Sequence, residues 1–411
     1  MKIKTQKGIT LVALIVTIVV LLILAVVAIW AVQNEGIINY AKNAKEEYGK
    51  AEVNENTTLE GYLEKIEDNL PITIEEAMEP KMLNKKVNSD VTDKYGNKIT
   101  VPAGFKILVD ETTGYTKETI DVTQGIVIED AQGNQFVWVP VGNIYYSETE
   151  YKTITLGRYS NFTANDAGEY IPAQIAENYA VATVINEYYT EDTKANHDEV
   201  FKNEIAEDIG AFVTSAIKKG EYYLARYEAG VMNYDSNKST SKNSNNEIDW
   251  TGYVAEEGKE LQLVSKKNVQ PWNYVTQLKA SELSKNMYTS NNFKSDLINS
   301  YAWDTAIVFI QTFSTESDAK NYANLNKSNK YCPTNTGTMI DKYCNIDGMS
   351  SNCSELSTET SSKVGAPVVL RGGYRSTSVG KNSEVTSSRR SMDPYFILNG
   401  FAFRPLLYVT L

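Results

Sequence analysis

Residues 9–32 form an uninterrupted apolar run in which only Thr10 and Thr17 are polar and nothing is charged. As a helix such a run spans roughly 36 Å, against a bilayer core of about 30 Å, so the pattern predicts one membrane-crossing helix. Beyond it Ile37, Ile38, Ala41, Ala44, Tyr48 and Ala51 recur at helical spacing, with Lys42, Lys45, Glu46, Glu47 and Lys50 between them. An exposed amphipathic stalk is expected. Thr57-Thr58-Leu59-Glu60 has the form of a capping box, which predicts a break and restart before Leu59, Tyr62, Leu63 and Ile66. Pro71 should end the helix, because proline disfavours helical geometry in the residue before it.

From Pro71 to Gln135 the period changes. Tyr95-Gly96-Asn97-Lys98 and Gln132-Gly133-Asn134 are turn signals, and Ile99–Val101, Phe105–Val109 and Gly125–Ile128 read as short strands. A β-rich connector over 71–135 is predicted. Phe136–Val141 reads as a buried strand whose Pro140 should lie near a sheet edge. Residues 145–215 are tyrosine-rich, acidic and weakly periodic, an expected insertion with helix near Ala206 to Lys218. Ser236 to Asn246 is polar loop by composition. Trp303, Ala306, Ile307 and Ile310 mark a helix, and Phe401, Phe403, Leu406, Tyr408 and Leu411 end the chain with strand formers. The class expected is α+β.

Charge narrows the partners. The chain has 40 basic and 52 acidic residues, a formal charge of −12, and without Lys2, Lys4 and Lys7 the balance is 37 against 52, or −15. Nucleic acid is not an expected partner, since phosphate recognition needs basic patches and none is visible. Positive charge before the apolar run puts residues 1–8 inside and the bulk of the chain outside. Cys332, Cys344 and Cys353 fall in one stretch. An exported chain permits a disulfide, and Cys332 with Cys344 would close a turn around Thr334–Gly337; free thiols are the alternative. The lone His197 and the cysteine spacing match no zinc pattern.

Two resemblances sharpen this. The short basic leader ending in Gly8, followed by Ile9-Thr10-Leu11-Val12, resembles a type IV prepilin signal. The resemblance implies a prepilin peptidase as partner, a cut between Gly8 and Ile9 with methylation of the new terminus, and a segment 9–70 that anchors the chain in the membrane or packs with other pilins. Ala13 stands where pilins usually carry a glutamate thought to pair with a neighbouring subunit, which favours display at the cell surface over regular filament assembly. A plain anchored stalk would share the pattern from Ile37 onward.

Farther on, FVWVPVG from Phe136, YYLARYEAG from Tyr222, PWNYVTQLKASEL from Pro271, YAWDTAIVFI from Tyr301, NIDGMSSNCSEL from Asn345, VVLRGGYR from Val368 and NGFAFRPLLYV from Asn399 together resemble the formylglycine-generating enzyme/sulfatase-modifying domain. That domain is a variant of the C-type lectin fold, and the resemblance spans about 136–411. The Asn345 segment departs from the family by lacking its two tryptophans. Formylglycine-generating members use a thiolate pair between RGG and the final GFR, since a thiolate carries the oxidation. Here the segment YRSTSVGKNSEVTSSRRSMDPYFIL contains no cysteine. An oxidase is therefore not expected, nor is any cofactor. What remains is non-catalytic recognition of an external ligand, as in adhesion; the alternative is a minor pilin with a structural or assembly role. The segment 374–395 combines adaptable polar groups with aromatic contact surface, and Tyr374, Arg375, Arg389, Arg390, Asp393 and Tyr395 are the expected ligand contacts. The bland alternative gives Arg389 or Arg390 to a structural salt bridge. Arg404 reads as a buried tie, because a guanidinium can satisfy carbonyls and a carboxylate together. The calcium-sugar tripeptides EPN and QPD are absent, which disfavours calcium-dependent sugar binding.

Overall fold

The structure is a computed structural model and describes residues 11–33, 37–70, 72–161, 173–174, 179–180, 209–238, 241–242, 248–249, 252–314, 322–323, 334–338, 341–361, 366–373, 385–393 and 397–411. It divides into two compact units, Met1–Leu70 and Pro71–Leu411.

The first unit is helical. Helix α1 covers Leu11–Gln33 and α2 covers Ile37–Asn69. From Leu11 to Trp30, α1 is long and apolar enough to cross a membrane, and its side chains there are exposed. Its one hydroxyl in that span is satisfied internally: Thr17 Oγ1 donates to the carbonyls of Ala13 at 3.0 Å and Leu14 at 2.8 Å. In a bilayer that removes an otherwise unpaired polar group. The restart expected at Thr57 does not occur, and α2 runs through it. Thr57 and Thr58 instead donate back to the carbonyls of Val53 and Asn54, each at 2.7 Å, so their hydroxyls bond within the helix rather than cap a new one. The helix does end just before Pro71, as expected.

The second unit, the head, is built from strands β1 Ser89–Thr92, β2 Lys98–Val101, β3 Phe105–Ile107, β4 Val127–Asp130 and β5 Gln135–Pro140, then α3 Ile209–Lys219 and β6 Glu221–Ala225. There follow β7 Gly230–Met232, β8 Gln262–Val264, β9 Gln270–Pro271, α4 Gln277–Lys285, β10 Phe293–Leu297 and α5 Ser300–Phe313. The chain closes with β11 Ser354–Ser361, β12 Val368–Arg371, β13 Arg389–Met392, β14 Phe401–Phe403 and β15 Pro405–Val409.

The main sheet has six antiparallel strands in the order β10-β15-β6-β5-β4-β3. β5 and β6 are buried on both faces, which is why they appear in the sequence as continuous apolar and aromatic runs rather than alternating ones. β5 is a central strand. Pro140 is tolerated because it is the last residue of the strand, opposite Glu221, and the ladder continues from Val141 N to Gly220 O at 2.7 Å. α3 lies on the sheet through Phe212, whose ring meets those of Tyr222 and Tyr408 edge-on at 5.3 and 5.7 Å. Phe105 on β3, Phe136 on β5, Phe293 on β10 and Tyr288 pack as an aromatic group that brings residues of both edge strands together.

The division expected near residue 135 is not a structural boundary. β3 and β4 belong to the same sheet as β5. β2 is held to it by Glu221, which accepts from Thr100 N at 3.0 Å and from Trp138 Nε1 at 2.5 Å, while Tyr223 Oη donates to Thr100 O at 2.8 Å. Burial pushes Glu221 up to about 7.

A second sheet carries the C-terminal motifs. β12 pairs antiparallel with β11 and β13, and β14 lies parallel to β11. In a third, β7 is flanked by β8 and β9. The mixed helix-and-sheet architecture meets the α+β expectation.

Candidate functional site

The sequence points to the segment between the RGG motif and the closing strands. The structure places a buried ion lattice at its base. Asn299 caps α5 by accepting from Ala302 N at 3.0 Å, and four residues into that helix Asp304 is fully buried. Asp304 Oδ1 takes Arg371 Nη2 at 2.5 Å, and Asp304 Oδ2 takes Arg389 Nη2 and, at 2.8 Å, Tyr159 N. Glu359, on β11, accepts from Arg371 Nη1 at 2.8 Å, Arg389 Nε at 2.7 Å and Arg158 Nη2 at 2.7 Å. Two carboxylates thus organise three guanidiniums. Isolated buried charges are expensive, and only such mutual pairing makes them tolerable.

The charges set the titration. Against burial, which would raise it, Arg389, Arg371 and Arg158 hold Glu359 down to about 2. Burial lowers Arg371, with Arg389 beside it adding to the effect.

Local backbone chemistry supports the lattice. Gly372 has φ of +77°, and a Cβ there would sit 2.5 Å from Met349 O. The first glycine of the RGG motif therefore meets both demands at once, positive φ and close approach. Arg371 Nε donates to Ser388 O at 3.1 Å, and Trp303 Nε1 to Thr386 O at 2.9 Å. The indole also lies 5.5 Å from the Arg371 guanidinium, within cation–π range. These bonds tie Thr386 and Ser388, just before β13, to α5 and β12.

Of the expected ligand contacts, Arg389 belongs to the lattice. Its side chain is 7% exposed, and Arg389 Nη1 donates to Tyr159 O at 2.9 Å. The salt-bridge alternative describes it. Arg390 and Asp393 are exposed. Strand alternation accounts for the difference between neighbours, since successive side chains point to opposite faces. Tyr374, Arg375 and Tyr395 lie outside the described residues, as do Gly8, Ile9 and Cys332. Sequence reasoning missed Arg158 and Glu359 and treated Asp304 as a local contact. The available signal was an aspartate inside the apolar run YAWDTAIVFI, where a charge needs a partner.

A second buried tie joins the sheets. Arg404 donates to Glu355 from Nε at 2.9 Å and Nη2 at 2.6 Å, from Nη1 to Ala225 O at 2.9 Å and Arg226 O at 3.1 Å, and from Nη2 to Asp347 O at 2.8 Å. Nearby Glu228 accepts from Cys353 N at 2.9 Å and Asn352 Nδ2 at 2.5 Å. Burial, reinforced by Glu355, pushes Glu228 well above the usual carboxylate range.

Cys344 carries a free thiol; Cys332, its expected partner, lies outside the described residues. Lys342–Tyr343 and Ile346–Asp347 form a hairpin whose turn residues Cys344 and Asn345 have φ of 45° and 60°. That turn delivers Cys344 Sγ to within 3.6 Å of Thr123 O, while Asn345 Nδ2 donates to the carbonyls of Thr113, Gln124 and Gly125. A Cβ on Gly125 would fall 1.8 Å from Cys344 O. Burial pushes the Cys344 thiol up to about 12, which suits packing rather than reaction. Among the described residues no cluster of His, Cys, Asp and Glu is arranged to hold a metal.

No protein-family model matches the chain, and no curated protein does. Among solved structures, Treponema denticola variable protein 1 aligns with 45% of this chain and 95% of its own length at 10% identity, with a TM-score of 0.25. A likeness that low establishes no common fold.

Proposed function

We propose that this chain is a pilin-like, membrane-anchored surface protein whose head, a non-catalytic relative of the C-type lectin and sulfatase-modifying folds, binds an external ligand. The ligand face in this reading surrounds the 374–395 segment. The observation that carries it is the division of labour on and just after β13: Arg389 is locked into the lattice with Asp304 and Glu359, whereas Arg390 and, one residue past the strand, Asp393 are exposed. A buried, mutually paired base fixes the strand, so exposed groups on it are held with little conformational freedom. Preorganisation of that kind lowers the entropy lost on binding. The cysteine-free sequence between RGG and GFAFRP supports recognition over thiolate chemistry. The apolar helix from Leu11 to Trp30 supports anchoring.

The test uses full-length protein in detergent on arrays of surface glycans and proteins. Wild type is expected to retain a ligand that the Arg390→Ala/Asp393→Ala double variant loses, at an unchanged melting temperature. Undiminished binding by that variant would move the site elsewhere.

A filament role is the second reading, and one observation favours it. Tyr48, Leu59, Tyr62 and Ile66 are 51–79% exposed on α2, and at 100° per residue they fall on one face of the helix. Such a stripe suits packing against other copies of the helix. Cross-linking at Tyr62 in intact cells would give a ladder of oligomers if filaments form, and a monomer band alone would remove this reading.

A further inference from the structure

A polar cavity of about 390 Å³ opens on the head and is lined by Glu111, Thr112, Arg226, Tyr227, Lys267, Gly337, Lys342 and Asp347. Its floor is formed by two buried ionic side chains, Arg226 at 1% exposure and Asp347 at 6%. The Arg226 guanidinium is committed at both Nη atoms: Nη1 donates to Gln135 Oε1 at 2.8 Å and Thr112 Oγ1 at 3.0 Å, and Nη2 to Thr112 O at 2.7 Å and Asn345 Oδ1 at 3.1 Å. Its Nε has no hydrogen-bond partner, nor does Asp347 Oδ2, and the two lie 3.8 Å apart. The two form an ion pair at a distance too long for a hydrogen bond, so the N–H and the carboxylate oxygen each keep a hydrogen-bonding position that one bridging ligand group would fill.

One chemical group does so. A hydroxyl accepts from an N–H and donates to a carboxylate at the same time. The rim selects a charge. Lys267 and Lys342 are exposed at the mouth, facing a single exposed acid, Glu111. Lys342 Nζ makes a hydrogen bond to Thr112 O at 2.8 Å, leaving two of its three donors for a ligand. The nearby Asp110 carboxylate is engaged by Thr112 N at 2.8 Å, Thr112 Oγ1 at 2.7 Å and Thr113 N at 3.1 Å. Burial, with Arg226 adding to it, pulls Lys342 below the usual lysine range, as expected where cations converge. In a chain of formal charge −12, three cations around one cavity are a local inversion. Tyr227, buried and 5.4 Å from the Arg226 guanidinium, stacks on that guanidinium and holds it in place beside the cavity.

We infer that this cavity binds a small hydroxylated carboxylate of the acidic-sugar class, its carboxylate on Lys267 and Lys342 and a ring hydroxyl bridging Arg226 Nε and Asp347 Oδ2. None of its lining residues belongs to the 374–395 segment, and the assignment does not depend on ligand binding there.

Titration calorimetry on the full-length protein in detergent tests this with four probes: glucuronate, N-acetylneuraminate, glucose and inorganic phosphate. One of the two acidic sugars is expected to bind with one-to-one stoichiometry, at least about tenfold tighter than glucose or phosphate. Lys342→Met and Lys267→Met, both at exposed positions, should each weaken it by about tenfold. Asp347→Asn, which keeps the side-chain shape, should weaken it while thermal melting reports an intact fold. Arg390→Ala/Asp393→Ala should leave it unchanged. Binding of neither sugar, equal binding of glucose or phosphate, or indifference to both lysine variants would overturn the assignment.

Discussion

At the scale of single residues, the head depends on charges buried in pairs. Removing one member of such a pair strands the others, and the usual penalty is about 3–5 kcal/mol. Glu359→Gln should therefore lower the melting temperature far more than Arg390→Ala, which a pair of thermal melts will show. The pH dependence follows from the same residue. Glu359 is held at about 2 when folded against 4.5 for an ordinary glutamate, so its contribution is complete above about pH 4.5 and is lost as pH falls toward 2. Glu221 has the opposite sign. Burial lifts it from 4.5 to about 7, so its contribution is complete below about 4.5 and is lost as pH rises through 7. Denaturant titrations across pH should show Glu359→Gln flattening the acid limb and Glu221→Gln the neutral limb; the same slopes in both variants and wild type would refute these assignments. Gly372→Ala forces a Cβ to 2.5 Å from Met349 O at positive φ. It should destabilise by more than the ~1 kcal/mol typical of point changes, measurable in the same titrations.

At the scale of elements, legibility in the sequence followed burial pattern. The strand around Phe136 and the helix from Ser300 to Phe313 were readable, because a two-sided buried strand and a helix facing the core leave strong apolar signatures. The continuity of α2 was not readable. Thr57 and Thr58 precede Leu59-Glu60 in a capping arrangement, and only the structure shows their hydroxyls turned back to Val53 and Asn54. If those bonds merely satisfy the hydroxyls, Thr57→Ala/Thr58→Ala will keep or slightly raise helicity by circular dichroism; a marked loss would mean the threonines cap a new helix after all. The candidate site was legible only in part. Arg389 and Arg390 are adjacent and chemically identical, and no local pattern tells which one meets Asp304 and Glu359. That choice rests on contacts between residues far apart in sequence, such as Arg158 with Glu359.

At the scale of the whole molecule there are two units: one with an apolar helix suited to a bilayer, and an acidic head that buries the Asp304, Glu359 and Glu355 carboxylates against arginines. The connector expected as a separate piece is instead part of the head's main sheet, which gives that unit more buried surface than a domain starting at Phe136 would have. In the proposed arrangement the head faces outward and the leader is removed after Gly8. Proteolytic shaving of intact cells tests this most directly, with the chain followed by an antibody to the head. The account predicts that external protease removes the head from unbroken cells and leaves a membrane-retained fragment containing α1. A head fully protected until the cells are lysed would contradict it.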